Sequence, residues 1–221
     1  MKLVIGLLSC QAHDARDDLV RQTWLKKATE LAIPVYFLRG GASEFCQDGD
    51  TLYFPVPDDY NCLPQKTRAW MKWATENTDA SAVEKSDNDT FIAVDRLIDF
   101  ATEHANVEFW GNEPGGRWRG YPSGGAGYGV SRRAATILAE HMIAPSGAED
   151  VIATQVLKAH GIRPFFPKPR KFISWGIDAL DRRPHPTNSI ITTHQISNEL
   201  WHKIYQEFYG SECRESVTTL Q

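Results

Sequence analysis

The N-terminal part of this chain alternates between strand-like and helix-like segments. Leu3–Leu8 is a continuous apolar run, which is typical of a strand covered on both faces, and the segment from about Asp14 to Leu31 is predicted to be helical. Val35–Leu38 repeats the strand pattern, and Thr51–Val56 predicts a third strand. This alternation predicts an α/β fold, with a mostly parallel sheet flanked by helices and a ligand crevice at the carboxyl ends of the strands.

The same reading extends along the rest of the chain. Further strands are predicted at Ser81–Lys85, where only Ala82 and Val83 are apolar, and at Val107–Trp110. The predicted helices are Pro64–Glu76, the later part of Phe91–His104, a helix capped by Ser131 that runs to about His141, one opened by Ser146–Asp150 that ends at Gly161, and Asn198–Phe208. Pro167–Pro186 is expected to be irregular, and the residues from about Glu212 onward are expected to form a flexible tail.

Composition favours one domain and excludes some partners. The 221 residues are 42% hydrophobic and contain no linker or repeat, so they can form a single core. A net charge of −4 gives no broad basic field, so nucleic acid is not an expected partner. Leu3–Leu8 is too short to cross a bilayer and lacks secretory flanks, which predicts a cytoplasmic protein. The four cysteines are widely spaced and are expected to be reduced thiols.

Asp87 and Asp89 lie one residue apart in a segment predicted to be non-helical. Two such carboxylates can point the same way and share one hard cation. Mg²⁺ or Mn²⁺ held by one or two protein carboxylates keeps open positions, which substrate phosphate oxygens usually fill. The pair therefore suggests a nucleotide-diphosphate substrate. A plain turn is the alternative, because Asp and Asn also favour turns by bonding their own backbone.

Five motifs follow one another in a recognisable order between about residues 3 and 195. They are Arg21-Gln22-Thr23-Trp24 with Arg16 upstream, Tyr60-Asn61 with Lys66-Thr67, Lys85-Ser86-Asp87-Asn88-Asp89-Thr90-Phe91, Tyr121 to Tyr128 with Ser131, and Glu149-Asp150-Val151. Their order and spacing resemble those of the β-1,3-glycosyltransferase family, which includes β-1,3-galactosyltransferases, N-acetylglucosaminyltransferases and Fringe. Asn88 departs from that family, where an Asp is usual.

The resemblance implies a GT-A fold, in which a Rossmann-like nucleotide-binding half, about residues 1–90, is joined to an acceptor-binding half, about residues 91–211. It also implies an inverting transfer of a hexose from a UDP-sugar, with UDP-galactose or UDP-N-acetylglucosamine favoured, to a glycan or glycoconjugate hydroxyl in a β-1,3 bond. The implied cofactor is Mn²⁺, with Mg²⁺ as the alternative. The membrane anchor and the loop cysteines of Golgi members are not found in this sequence, which favours a microbial or viral cytoplasmic enzyme.

The resemblance also implies roles for individual residues. Asp89 is the expected direct metal ligand, Asp87 a ligand through water or to the donor ribose, and His194 a further ligand, although a lone His near a strand end is often only a surface residue. The residues expected to contact the nucleotide are Arg16, Arg21, Lys66, Lys85, Asp87 and Asn88. Arg21 and Lys85 also have a simpler interpretation, in which each is only a solvated or ion-paired side chain.

On the acceptor side, Asp150 is the expected general base, and its place in the first turn of a helix favours its anionic form. Tyr121, Gly124, Gly125 and Glu149 are expected to line the acceptor site. For Glu149 we favour a capping box with Ser146, and for the glycines a plain turn is the alternative.

The aromatic residues divide into two groups. Trp24, Trp70 and Trp73 have helical spacing and are expected in the core. Those better placed to stack on a sugar are Trp110, Trp118, Tyr121 and Trp175, although burial remains the alternative for each.

Two other functions remain open from the sequence. One is a noncatalytic nucleotide-sugar or glycan-binding module with the same fold, which would have no need of the base Asp150. The other is a metal-dependent phosphohydrolase or nucleotidyltransferase, which would leave the Tyr121–Tyr128 loop and the Glu149-Asp150-Val151 motif unexplained.

Overall fold

A computed structural model describes residues 1–114, 116–168, 171–173, 190–196 and 200–210. Its strands are β1 (Leu3–Leu8), β2 (Val35–Arg39), β3 (Cys46–Asp48), β4 (Thr51–Tyr53), β5 (Ala82–Asp87), β6 (Thr90–Ile92), β7 (Phe109–Gly111), β8 (Tyr128–Ser131), β9 (Phe172–Ile173) and β10 (Thr192–His194). Its α-helices are α1 (Asp14–Gln22), α2 (Trp24–Glu30), α3 (Leu63–Asn77), α4 (Val94–Glu103), α5 (Arg132–His141), α6 (Glu149–Ala159) and α7 (Trp201–Tyr209). Most of Pro167–Pro186 and the predicted tail lie outside the described residues.

The central sheet has seven strands in the order β3-β4-β2-β1-β5-β8-β7. Its four central strands are parallel, while β3, β8 and β7 run antiparallel to their neighbours at the two edges. The predicted α/β fold with a mostly parallel sheet flanked by helices is therefore confirmed. β1 lies in the middle of this sheet, as its continuous apolar sequence predicts.

A smaller sheet has the order β6-β10-β9. β10 pairs antiparallel with β6, so that His194 lies opposite Thr90. This pairing brings a residue from late in the chain next to the acidic turn between β5 and β6. His194 is the last residue of β10.

The core lies on both faces of the central sheet. Side chains of β1 alternate between the two faces, with Leu3, Ile5 and Leu7 in one apolar cluster and Val4 and Leu8 in the other. The tryptophans expected in the core are largely there, since Trp24 and Trp70 are fully buried and Trp73 is partly buried against Trp70.

Several predicted boundaries are wrong. The helix predicted from about Asp14 to Leu31 is two helices, because the backbone breaks at Thr23, whose hydroxyl donates to the Leu19 carbonyl 2.5 Å away. β3, β8 and β9 were not predicted. β3 is polar and exposed, and β8 contains a glycine, so neither has the alternating apolar pattern of a strand. β9 has only two residues and lies in Pro167–Pro186, the segment expected to be irregular.

β5 is longer than predicted, because its later residues are polar yet belong to the sheet. It pairs with β1 along its whole length, from Leu3 opposite Ala82 to Leu8 opposite Asp87. No helix in the described part of the chain combines the length and the apolar character needed to cross a membrane.

Candidate active site

Two adjoining pockets of about 370 Å³ each lie at the carboxyl ends of β1 and β5. We call the first the β1 pocket; its lining includes Ser9, Cys10, Arg16, Lys66, Asn88 and Asp89. The second is the loop pocket; its lining includes Lys85, Trp118, Tyr121, Gly124, Glu149 and Asp150. Asp87 and His194 line both pockets. The crevice therefore lies where the parallel strands predict it.

Asp87, Asp89 and His194 form one cluster at the boundary of the pockets. Each offers a ligand atom, and these atoms lie within 4.8 Å of one another. His194 Nδ1 is 3.0 Å from Asp89 Oδ1 and 2.9 Å from Thr90 Oγ1. Burial by itself would raise the pKa of Asp89, but the interactions with His194, together with the charge of Arg16, outweigh burial and hold that pKa below its usual value.

The residues of this cluster fit a divalent cation. Two carboxylates and an imidazole are donors that Mn²⁺ accepts, and Asp87 remains about one-third exposed toward the pockets. The close approach of His194 depends on Gly125, because a Cβ at that position would lie 2.2 Å from His194 Nε2. The glycine thus leaves space for the imidazole, which is a more specific reason for it than a plain turn.

Lys85 is buried where the two pockets meet. Its ammonium group lies 3.1 Å from Asp87 Oδ1, 3.1 Å from Glu149 Oε2 and 3.0 Å from the Gly124 carbonyl oxygen. Burial opposes the charge of Lys85, but the two neighbouring carboxylates raise its pKa above the usual value. Lys85 is therefore a paired cation that joins the acidic turn to the glycine-rich loop and α6.

Glu149 does not form the predicted capping box with Ser146. α6 begins at Glu149, its N-cap residue is Ala148, and no side chain caps it. The Glu149 carboxylate instead turns inward, where it accepts from the Tyr128 hydroxyl and pairs with Lys85. Burial raises the pKa of Glu149, against the charge of Lys85. The sequence pattern fits a cap, but the buried cation provides the stronger partner.

Asp150 lies in the first turn of α6, as predicted, and lines the loop pocket. Its Oδ2 accepts from the Gly124 amide at 3.0 Å, and its Oδ1 accepts from the Val151 amide at 2.8 Å. These two backbone donors fix the orientation of a partly exposed carboxylate. The arrangement suits a group that accepts a proton from a molecule in the loop pocket.

The cations predicted to contact a nucleotide have different surroundings. Arg16 lies in the β1 pocket, with Nη1 3.9 Å from Asp89 Oδ2. Lys66 also lines that pocket, but its ammonium is buried and donates to the Ser9 carbonyl at 2.8 Å and to Asp58. The structure does not bring Arg21 to either pocket, because its guanidinium group bonds Asp50 and Asp18. Its partners make Arg21 a link between α1 and the start of β4.

Asn88 lines the β1 pocket, but its amide nitrogen is bonded to buried groups beneath it. It is buried, and its amide nitrogen donates to Asp17 Oδ1 at 2.7 Å and to Ser9 Oγ at 3.3 Å. Asp17 is itself fully buried, although it lies in an otherwise polar helix. The sequence analysis missed Asp17, and the only signal that could have found it is the unusual Asn between the two acidic residues.

The aromatic residues around the loop pocket agree only in part with the predictions made from the sequence. Trp118 and Tyr121 line this pocket, and Trp118 is 42% exposed. Trp110 is fully buried in the core, so the expectation that it stacks on a sugar is wrong. Trp175 lies outside the described residues. Tyr60 was not predicted as a stacking residue, yet it is 82% exposed and lines both pockets.

The fold is that of GT-A glycosyltransferases. A glycosyltransferase involved in the glycosylation of the major capsid of PBCV-1 superposes with a TM-score of 0.57 and 10% identity, over 95% of this chain and 100% of that one. The galactosyltransferase LgtC, in complex with donor and acceptor sugar analogs, superposes with a TM-score of 0.51 and 11% identity, over 94% of this chain and 95% of that one. At such low identity these structures establish the fold alone.

Sequence comparison adds two partial matches. Residues 15–112 match the galactosyltransferase family model. The chain is 32% identical over 131 residues to UDP-GalNAc:beta-1,3-N-acetylgalactosaminyltransferase 2 of Danio rerio, a match that covers 49% of this chain and 26% of that protein. The chain thus spans about a quarter of the length of that relative. These matches support the resemblance to the β-1,3-glycosyltransferase family that the motifs indicate.

Proposed function

We propose that this chain is a metal-dependent, inverting glycosyltransferase that moves a hexose from a UDP-sugar to a hydroxyl of a glycan or glycoconjugate, in a β-1,3 bond. One observation carries the proposal. The Asp87, Asp89 and His194 cluster lies at the boundary of two pockets, and the oriented carboxylate of Asp150 lies in only one of them. A donor and an acceptor can therefore approach the same place from two sides.

The β1 pocket is the proposed donor site. Its metal cluster suits a diphosphate, and Arg16 adds a positive charge next to Asp89. The relative from Danio rerio is named for a UDP-linked N-acetylhexosamine, which supports a UDP-sugar as donor. UDP-galactose, UDP-N-acetylglucosamine and UDP-N-acetylgalactosamine are the donors to test. Most of this pocket comes from the proposed nucleotide-binding half, about residues 1–90.

The loop pocket is the proposed acceptor site, built mainly from about residues 91–211. Tyr60, Trp118 and Tyr121 offer aromatic surfaces on which a sugar ring can stack. Lys85 and Tyr128 hold the carboxylate of Glu149 in place. The proposed role of Glu149 is therefore to form part of the buried wall of this pocket. Gly124 lets the loop approach α6 closely, because a Cβ there would lie 2.9 Å from Glu149 Oε2.

Asp150 is the proposed general base. It takes the proton of the acceptor hydroxyl as that oxygen bonds to the anomeric carbon, while the bond from this carbon to UDP breaks and UDP leaves with the electron pair. The Gly124 and Val151 amides keep the carboxylate oriented. A divalent cation held by Asp87, Asp89 and His194 supplies charge neutralisation for the departing diphosphate.

The test is a panel of UDP-, GDP- and CMP-sugars with Mn²⁺ or with EDTA, followed by thermal stabilisation and nucleotide release. We expect one UDP-sugar to stabilise the wild type only with Mn²⁺, and Asp89→Ala to lose that stabilisation. Asp150→Asn is expected to bind the donor normally but to turn over about 10²- to 10⁴-fold more slowly. Asp48→Asn, an exposed change in β3, is the matched control.

Two outcomes would contradict the proposal. Stabilisation by a UDP-sugar without turnover toward any acceptor would favour a noncatalytic nucleotide-sugar or glycan-binding module. Full turnover by Asp150→Asn would show that the base lies elsewhere.

A further inference from the structure

Asp17 is a fully buried carboxylate with partners from three different elements. Ser9, just after β1, donates its hydroxyl to Oδ1 at 2.9 Å and to Oδ2 at 2.7 Å. Arg39, at the end of β2, forms an ion pair with Oδ2, and Asn88 donates to Oδ1 at 2.7 Å. An ionised carboxylate accepts hydrogen bonds only, so each of these partners must be a donor.

Asn88 is the residue between the two acidic metal candidates. Its backbone amide donates to the Leu8 carbonyl at 3.2 Å, and its side chain is fixed by Asp17. The Asn88 nitrogen, and not its oxygen, must face Asp17, because a carboxylate oxygen cannot pair with an amide oxygen. Both the backbone and the side chain of the middle residue are therefore tied to the elements around β1.

The identity of residue 88 follows from this contact. An Asp at this position would place a second carboxylate against the buried Asp17, and two buried like charges in contact are strongly unfavourable. Asn is almost the same size but supplies a donor. The replacement of the usual Asp by Asn is thus matched to the buried Asp17 of this chain.

We propose that the Asp17–Asn88 hydrogen bond is a positioning contact, which sets the turn so that Asp87 and Asp89 can hold one divalent cation, and that Asn88 does not bind the nucleotide. The inference rests on the metal site of the proposed function. Arg16, which approaches Asp89, directly precedes Asp17 in the first turn of α1. A change at Asp17 or Asn88 should therefore alter the metal site without touching the metal.

The first experiment measures Mn²⁺ affinity, with Mn²⁺ alone and with UDP, by electron paramagnetic resonance. Asn88→Ala removes the donor and is expected to weaken Mn²⁺ binding by about 10- to 100-fold, as for other changes behind metal ligands. Asp50→Asn is the matched control, because Asp50 bonds Arg21 near the other end of α1. We expect it to lower the midpoint of thermal unfolding while leaving the Mn²⁺ affinity unchanged.

The second experiment exchanges the pair. Asn88→Asp is expected to lower the unfolding midpoint, and the double variant Asp17→Asn with Asn88→Asp is expected to recover much of that loss, because a donor again faces a carboxylate. This thermal cycle needs neither metal nor substrate.

The outcomes separate this inference from the proposed function. Mn²⁺ affinity that falls in Asn88→Ala but not in Asp50→Asn supports the positioning contact, even where no UDP-sugar is turned over. Three results would overturn it: unchanged Mn²⁺ affinity in Asn88→Ala, an equal loss of affinity in Asp50→Asn, or no Mn²⁺ binding by the wild type with or without UDP.

Discussion

At the β1 pocket a buried side-chain hydrogen bond helps to fix the acidic turn, whereas at the loop pocket the backbone of a glycine-rich loop orients Asp150. On the first side, Asn88 is bonded to the buried carboxylate of Asp17. On the second side, the Gly124 amide orients Asp150, and the Gly125 carbonyl accepts from Thr90 at 2.8 Å. Stability at the β1 pocket should therefore be sensitive to changes of charge, and stability at the loop pocket to added side-chain volume.

Lys85 contacts both the acidic turn and the loop side. Its replacement is expected to lower the unfolding free energy more than any other change we predict. Lys85→Met leaves Glu149 buried without its cation, and breaking a buried ion pair in this way costs about 3–5 kcal/mol of unfolding free energy. Urea denaturation would measure this loss. A second change, Glu149→Gln, should recover part of it because the uncompensated charge is then removed. A loss below about 1 kcal/mol would mean that the two sides are not joined through Lys85.

Gly125→Ala tests the sensitivity of the loop side to volume. The new Cβ would meet the His194 ring at 2.2 Å, so that ring must move away from Asp89. We expect a loss of about 1–3 kcal/mol in stability, as for other overpacked sites, together with weaker Mn²⁺ binding. Calorimetric unfolding and Mn²⁺ titration would measure both.

The control for Gly125→Ala is the same change in a His194→Ala background. With the imidazole removed, the methyl group has space, and the stability cost should largely disappear. A cost that stays the same in both backgrounds would show that the loop backbone, and not His194, resists the added methyl group.

The sequence predicted the fold because the central strands carry patterns set by burial alone. Leu3–Leu8 has an unbroken apolar sequence because both of its faces are covered. β5 was only partly predicted, because Ser86 and Asp87 are polar and were left out, and Ser86 is buried by partners far away in the chain. No local sequence pattern predicts such a strand.

The site was predicted to a similar extent. The motifs gave Asp87, Asp89 and Asp150, whose neighbours in the sequence identify them. They also gave Arg21, whose real partner, Asp50, comes from a separate strand boundary. Residues that act through long-range contacts, such as Asp17, have no sequence pattern of their own. Only the folded structure shows which side chains they contact.

Glu84 lies beneath the loop side, and its predicted effect depends on pH. Its carboxyl is fully buried in β5, close to where a Cβ at Gly127 or Gly129 would lie. Burial raises the pKa of Glu84 well above its usual value, and the Trp110 side chain and the charge of Lys85 offset only part of that rise. The glycines of the loop side thus make room for this buried carboxyl group.

The sign of the pH effect follows from proton binding. Above the unfolded pKa of about 4.3, the folded chain binds more protons than the unfolded chain, so stability falls as pH rises toward the raised folded pKa, by up to about 1.4 kcal/mol per pH unit from this group. The glutamine side chain of Glu84→Gln cannot ionise, so this variant should lack the part of the pH dependence of the unfolding free energy that comes from Glu84. Urea denaturation at about pH 5 and about pH 8 would show the variant gaining on the wild type at the higher pH. Exposed Glu44→Gln should leave the slope unchanged, and equal slopes in the wild type and Glu84→Gln would mean that the buried carboxyl is not protonated.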